Sequence, residues 1–190
     1  MTQVKPIVLL VIFFLGGCAH EETNNPVDTG AQATNSCVEI ADSTFEPDSV
    51  EALFYAGEDP VWVLTAKDNN TWLYVENYPS FGGATGAETR TLDDTETNYA
   101  TCGVCVLLKT GCQPHGDHDH CRRTYMPKTG SSVTFDELGY EVGTTWSGSL
   151  PTIQFLEVSI DSDTYETTSV SDGETITLDA WAFQAALEAG

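Results

Sequence analysis

Nowhere after residue 36 does this chain carry a long helical apolar period. Its apolar residues fall instead in short, alternating or continuous runs rich in β-branched and aromatic side chains, bounded by Gly, Pro, Asn and Asp, which is how strands and turns read. The pattern predicts strands over Val50–Tyr55, Val61–Ala66, Trp72–Glu76, Tyr99–Leu108, His120–Met126, Ser132–Phe135, Thr144–Leu150, Ile153–Ile160, Thr164–Val170 and Thr175–Trp181. About ten short strands can hide their apolar faces only by closing or by packing as two sheets. The expected fold is therefore an all-β sandwich or jelly roll, with residues 37–190 as its single domain.

Two segments leave alternatives open. In Ile153–Ile160 the apolar alternation slips by one residue at Phe155-Leu156, so this strand is either buried on both faces or bulged, with Glu157 and Ser159 on the less buried side. Asp179–Ala189 fits a short helix through Ala185, Ala186 and Leu187, yet Trp181 and Phe183 alternate as in a strand.

The densest chemistry lies between Cys102 and Cys121, which contains Cys102, Cys105, Cys112, Cys121, His115, His118 and His120. Its apolar arms predict a hairpin with a long polar tip near Gly111 to Pro114, stapled by disulfides. Such a hairpin would set Cys105 opposite Cys121, while Cys112 folds back on Cys102 or pairs with Cys37. Disulfides closing loops of this kind contribute about 2 to 4 kcal/mol. Five cysteines remain besides Cys18, an odd number, so at most two bridges form within the chain. Thiol exchange at Cys102-Gly-Val-Cys105 is disfavoured, because the reactive form of this motif opens a helix and Cys105 leads into a strand-like run.

The same hairpin admits a metal. His118 and His120 stand two apart, on one face of an extended chain, with His115, Asp117 and Asp119 nearby. Imidazole suits zinc or copper, and a thiolate from Cys112 or Cys121 would complete four ligands. The competing reading is a solvated loop in which His and Asp happen to cluster. Calcium has a weaker basis in Asp68-Asn69-Asn70, Asp93-Asp94 and Asp161-Ser162-Asp163, which are also ordinary turn residues.

Catalytic motifs are missing: there is no Gly-x-Ser-x-Gly, no His-Glu-x-x-His and no phosphate-binding glycine loop, so no catalytic residue is assigned. The aromatics Tyr55, Trp62, Trp72, Tyr74, Tyr78 and Phe81 could make a stacking platform for a glycan or a protein, though strand spacing assigns them to a core. With 29 acidic residues against 7 basic ones, nucleic acid is excluded as a partner.

The amino-terminal segment sets a location. Lys5 precedes nine apolar residues, Ile7 to Leu15, too few to span a bilayer, and Leu15-Gly16-Gly17-Cys18 follows. This order resembles the signal peptide and lipobox of bacterial lipoproteins. The resemblance implies cleavage after residue 17, fatty acylation (palmitate and related chains) at Cys18, and firm anchoring by several chains. Ala19 after the cysteine resembles the outer-membrane sorting pattern, with the domain facing the periplasm or the cell surface. Residues 18–36 contain one large apolar side chain, Val27, and read as a disordered tether reaching roughly 20 to 25 Å. Export also permits disulfides. The stretches Tyr99–Leu108 and Ser149–Ile160 resemble uncharacterised cysteine-containing lipoproteins of Gram-negative bacteria, which brings no activity. The expectation is a monomeric, lipid-anchored, non-catalytic binding or structural module, contacting the membrane through its anchor and a cell-surface protein or glycan through its domain. The alternative is a zinc- or copper-binding protein.

Overall fold

The computed structural model describes residues 45–115 and 118–190, without the side chains of residues 114–119. All of these residues belong to the compact unit Asp42–Gly190. Its strands are β1 (Ser49–Tyr55), β2 (Val61–Asp68), β3 (Thr71–Asn77), β4 (Glu88–Leu92), β5 (Val104–Thr110), β6 (Gln113–His115), β7 (His118–His120), β8 (Arg123–Pro127), β9 (Ser131–Leu138), β10 (Thr145–Leu150), β11 (Ile153–Ile160), β12 (Thr167–Ser169), β13 (Thr175–Leu178) and β14 (Trp181–Ala189). One short 3-10 turn, Pro79–Phe81, is the sole helical element among the described residues.

Twelve strands join in one sheet, in the order β12-β11-β8-β5-β3-β2-β1-β14-β10-β9-β4, with β13 also on β11. β1 pairs parallel with β14, and the other described pairings are antiparallel. The sheet curls until its two arms face each other across a common core. Trp62, Leu64, Leu73, Val106, Leu108 and Phe155 from one arm share that core with Val133, Phe135, Trp146, Leu150 and Phe183 from the other. Alternation builds it. In β2, Trp62, Leu64 and Ala66 are fully buried while Val63 and Thr65 lie on the opposite side. Each large aliphatic or aromatic side chain so buried contributes roughly 1.5 to 3 kcal/mol. The all-β, sandwich-like architecture expected from the pattern is the one formed.

A second, smaller cluster lies on the outside of the β2-β3-β5 arm. Val61, Cys105 and Leu107 meet Tyr78 and Cys102, with Tyr55, Val63, Tyr74, Phe81, Tyr99 and Ile160 around them. The two ends of the segment between β3 and β5, with Tyr78, Phe81, Tyr99 and Cys102, fold back as a cap over this face. Buried Asn77 holds it by donating to the Ala84 carbonyl (3.0 Å) and accepting from the Ala84 amide (2.7 Å). Gly83 and Gly103 cross so closely that a Cβ on either would overlap backbone of the other. Buried Glu96 accepts from Arg90 (3.0 Å) and from the Val104 amide (2.8 Å), tying the cap to β4 and β5.

The strand Ile153–Ile160 forms over the predicted span, and the first of its two alternatives holds. Ile153 and Phe155 enter the main core, Ile160 packs against the outer cluster, and the register with β8 runs unbroken from Phe155 to Val158. Ser159 is exposed and Glu157 half-buried. Asp179–Ala189 is not a helix. Its residues from Trp181 form β14, because Trp181, Phe183 and Leu187 alternate into the core between β1 and β10. β4 escaped the sequence pattern: Glu-Thr-Arg-Thr-Leu is polar because it is an edge strand with one buried residue, Leu92.

The hairpin arms pair as expected, Leu108 with Tyr125 and Thr110 with Arg123. Its tip does not fall at Gly111 to Pro114. The same register continues outward, setting Gln113 opposite His120 and His115 opposite His118. The disulfides are Cys112–Cys121 and Cys102–Cys105, correcting both expected pairings. Cys112 and Cys121 are directly opposed in this register, whereas Cys105 lies opposite Glu76 on β3, on the far side of β5 from β8. Cys37 and Cys18 lie outside the described residues.

Candidate functional site

The β6-β7 ribbon carries the histidines singled out from sequence. Directly paired residues, and residues two apart, share one face of an antiparallel ribbon, so His115, His118 and His120 hold same-face positions, with Gln113 as the fourth. The side chains of His115 and His118 and all of Asp117 lie outside the description, while His120 is exposed. The Cys112–Cys121 disulfide closes the base of the ribbon. It also withdraws both thiols, so the thiolate ligand considered from sequence is not available while the bridge stands. Among the described residues no group of three or more His, Cys, Asp or Glu side chains is placed to hold a metal ion.

The acidic turns considered for calcium use their carboxylates internally. Asp93 accepts from the amides of Thr95 (2.9 Å) and Glu96 (3.3 Å). Asp161 accepts from the amides of Thr164 and Asp163 and from the Thr164 hydroxyl, which together hold its carboxyl below the usual range. Asp68 bonds the Glu46 amide and the Asn69 side chain, next to a left-handed Asn69 in the β2-β3 turn.

Beneath the cap, the hydroxyls of Tyr78 (2.8 Å) and Tyr99 (3.0 Å) both donate to one oxygen of Glu76. Burial, and next the Glu76 charge, push both phenols far above their ordinary value, so each keeps its proton and the carboxylate stays bonded. Glu76 pairs across the strands with Cys105, and the Cys102–Cys105 disulfide beside it is fully buried. Both cysteines are fully buried and Cys105 lies within β5 rather than at the start of an α-helix, so the disulfide braces the cap. The early aromatics follow suit: Trp62, Trp72 and Tyr78 are buried, and Tyr55, Tyr74 and Phe81 pack in the outer cluster, so they form no open platform.

Sequence reasoning missed a different concave site. Where β10 ends at Leu150-Pro151 and β14 begins at Trp181, a groove of about 350 Å³ opens on the outside of the β9-β10-β14 arm. Ser132, Thr134, Ser149, Pro151, Trp181 and Ala182 line it, and none is ionisable. The row Thr134, Ser149, Ala182 is fixed by strand register. Trp181 is held by an edge contact with Phe45 and a tilted one with Phe183, both at 5.6 Å. The Thr134 hydroxyl lies 2.9 Å from that of Thr89 on β4. The only signal in the sequence was the alternation of small hydroxyl residues with core residues, Ser132-Val133-Thr134-Phe135 and Ser147-Gly148-Ser149-Leu150, which reads as an ordinary solvated sheet face. No protein-family model, curated protein or solved structure matches the chain.

Proposed function

We propose that this chain is a lipid-anchored module of the outer membrane, attached through Cys18 and presenting a non-catalytic binding domain to the periplasm or the cell surface. The observation that carries the reading is the order Lys5, apolar Ile7 to Leu15, then Leu15-Gly16-Gly17-Cys18, ahead of a polar stretch and a disulfide-braced β domain. Disulfides persist in exported proteins, which supports the same compartment. The test is fractionation after expression in a Gram-negative host with an alkyne analogue of palmitate. The wild type should carry the label and sediment with outer membranes, and Cys18→Ser should lose the label and the sedimentation. Equal labelling of both chains would overturn the anchor.

A metal-binding role is the second reading, favoured by the register that gives His115, His118 and His120 same-face positions on a disulfide-closed ribbon. Zinc or copper would then bind with three imidazoles, and the affinity should vanish when all three become alanine. Retained affinity in that variant would reject these ligands.

A further inference from the structure

We propose that the Cys112–Cys121 disulfide is a reducible lock on a second metal site, and that once it opens the two thiolates bind a monovalent copper ion. The site is separate from the histidine positions. Gln113 and His120 are paired in the ribbon and side chains alternate along each strand, so Cys112 and Cys121, one residue further in, hold the opposite face. The backbone keeps the two cysteines opposed without help from the bridge. The Cys112 amide donates to the Asn70 carbonyl (3.0 Å) and the Arg122 amide to the Thr110 carbonyl (3.0 Å). The pairing of β5 with β8 and of β6 with β7 flanks the bridge on both sides. Opening it therefore leaves two thiols facing each other across the ribbon, ready to act as one bidentate ligand.

Exposure makes this bridge the selectively reducible one. Cys121 is partly exposed, which opens the bridge to an attacking thiolate, whereas Cys102 and Cys105 are fully buried. A dithiol supplies two electrons and two protons, closing to its own cyclic disulfide as Cys112 and Cys121 become thiols. One Cu(I) ion then displaces both thiol protons and bonds both sulfurs. The donors select the metal. Thiolates suit Cu(I) and zinc, but zinc takes four ligands. The next pair on this face, Pro114 and Asp119, adds no soft donor. The face thus stops short of a zinc set and fits the two-coordinate, linear geometry of Cu(I). The net charge of −22 favours the approach of a cation.

The full chain in detergent is treated anaerobically with dithiothreitol, without denaturant, and freed of it by gel filtration. It is then titrated with Cu(I), held monovalent by ascorbate, in competition with bicinchoninate. Reduction should add one bound Cu(I) per chain over the untreated protein. Iodoacetamide applied before the copper should label Cys112 and Cys121, leave Cys102 and Cys105 unlabelled in peptide mass mapping, and abolish the added copper. Cys112→Ser/Cys121→Ser should gain no copper on reduction; circular dichroism reports its fold, and the alkylated wild type serves in its place should that chain unfold. The alanine variant of His115, His118 and His120 should keep the full gain, so failure of the histidine reading and failure of this one are told apart. No gain in the wild type, a gain that survives in the double serine variant, loss of the gain in the histidine variant, or labelling of Cys102 and Cys105 at the same dithiothreitol concentration would each overturn the proposal.

Discussion

The outer faces of the two arms are made from the same alternating strands and end in opposite conditions. On the β2-β3-β5 arm the outward residues are large, among them Trp72, Tyr74 and Leu107, and Tyr78, Phe81, Tyr99 and Cys102 from the connection between β3 and β5 pack against this face. Lys67 and Lys109 add their cations to this face, over the rings of Trp72 (4.1 Å) and Tyr74 (4.8 Å). On the β9-β10-β14 arm the outward residues are Ser132, Thr134, Ser147, Ser149, Ala182 and Gln184, small or polar enough to face water uncovered. The inward pattern is shared, so the side chains of the second face alone decide whether a sheet needs a lid. A face without a lid keeps its surface for other molecules.

The contrast predicts where substitutions will hurt. The largest effect should come from the lid's buried anchor: Glu96→Ala leaves the buried Val104 amide without its acceptor and removes one of the partners of Arg90, costing about 3 kcal/mol, read as a lowered denaturation midpoint. Next, Leu107→Ala beneath the lid should cost about 2 kcal/mol or more, while Ser147→Ala on the bare face should stay within about 0.5 kcal/mol. Similar losses at Leu107 and Ser147 would erase the distinction between the faces.

A third effect depends on pH. Tyr78 and Tyr99 have phenol pKa values raised in the native state, first by burial and then by Glu76, so the fold binds protons that the unfolded chain releases above pH 10.0. Their contribution is complete below that pH and lost as the pH rises beyond it. Denaturation at a series of alkaline pH values should show stability falling, with a shallower slope in Tyr78→Phe/Tyr99→Phe. The smallest effect lies at exposed Glu174, whose carboxyl is held below the ordinary value by Arg123. Its stabilisation is present above the ordinary glutamate range and fades as the pH falls through the depressed value. Arg123→Gln should return the Glu174 titration, followed by NMR, toward normal.

How far the sequence could be read depended on whether a residue's partner lay in its own strand pattern. Ile153–Ile160 was legible to the residue because its apolar side chains mark both faces they fill. β4 was not, since an edge strand with polar sides carries no apolar signature. β14 remained between helix and strand because three alanine-rich residues favour one and the Trp181-Phe183 alternation the other, and the vacancy between β1 and β10 decides it. The cysteines were found but their partners were not, because pairing follows the register of the whole hairpin. The histidines were legible as a cluster, and their common face emerged only with the same register. The groove was the least legible, since it is made where two strand ends from distant parts of the sequence meet.

The parallel pairing of β1 with β14 has a mechanical consequence. β1 is the first described strand, with β2 paired along its length from Ser49 to Tyr55 on one side and β14 against Ala52 to Phe54 on the other. A pull entering at Phe45 along the strand axis meets both ladders sideways, so their hydrogen bonds are loaded together in shear instead of parting one after another. The amino-terminal end of the described domain is thus the one built to resist being drawn out.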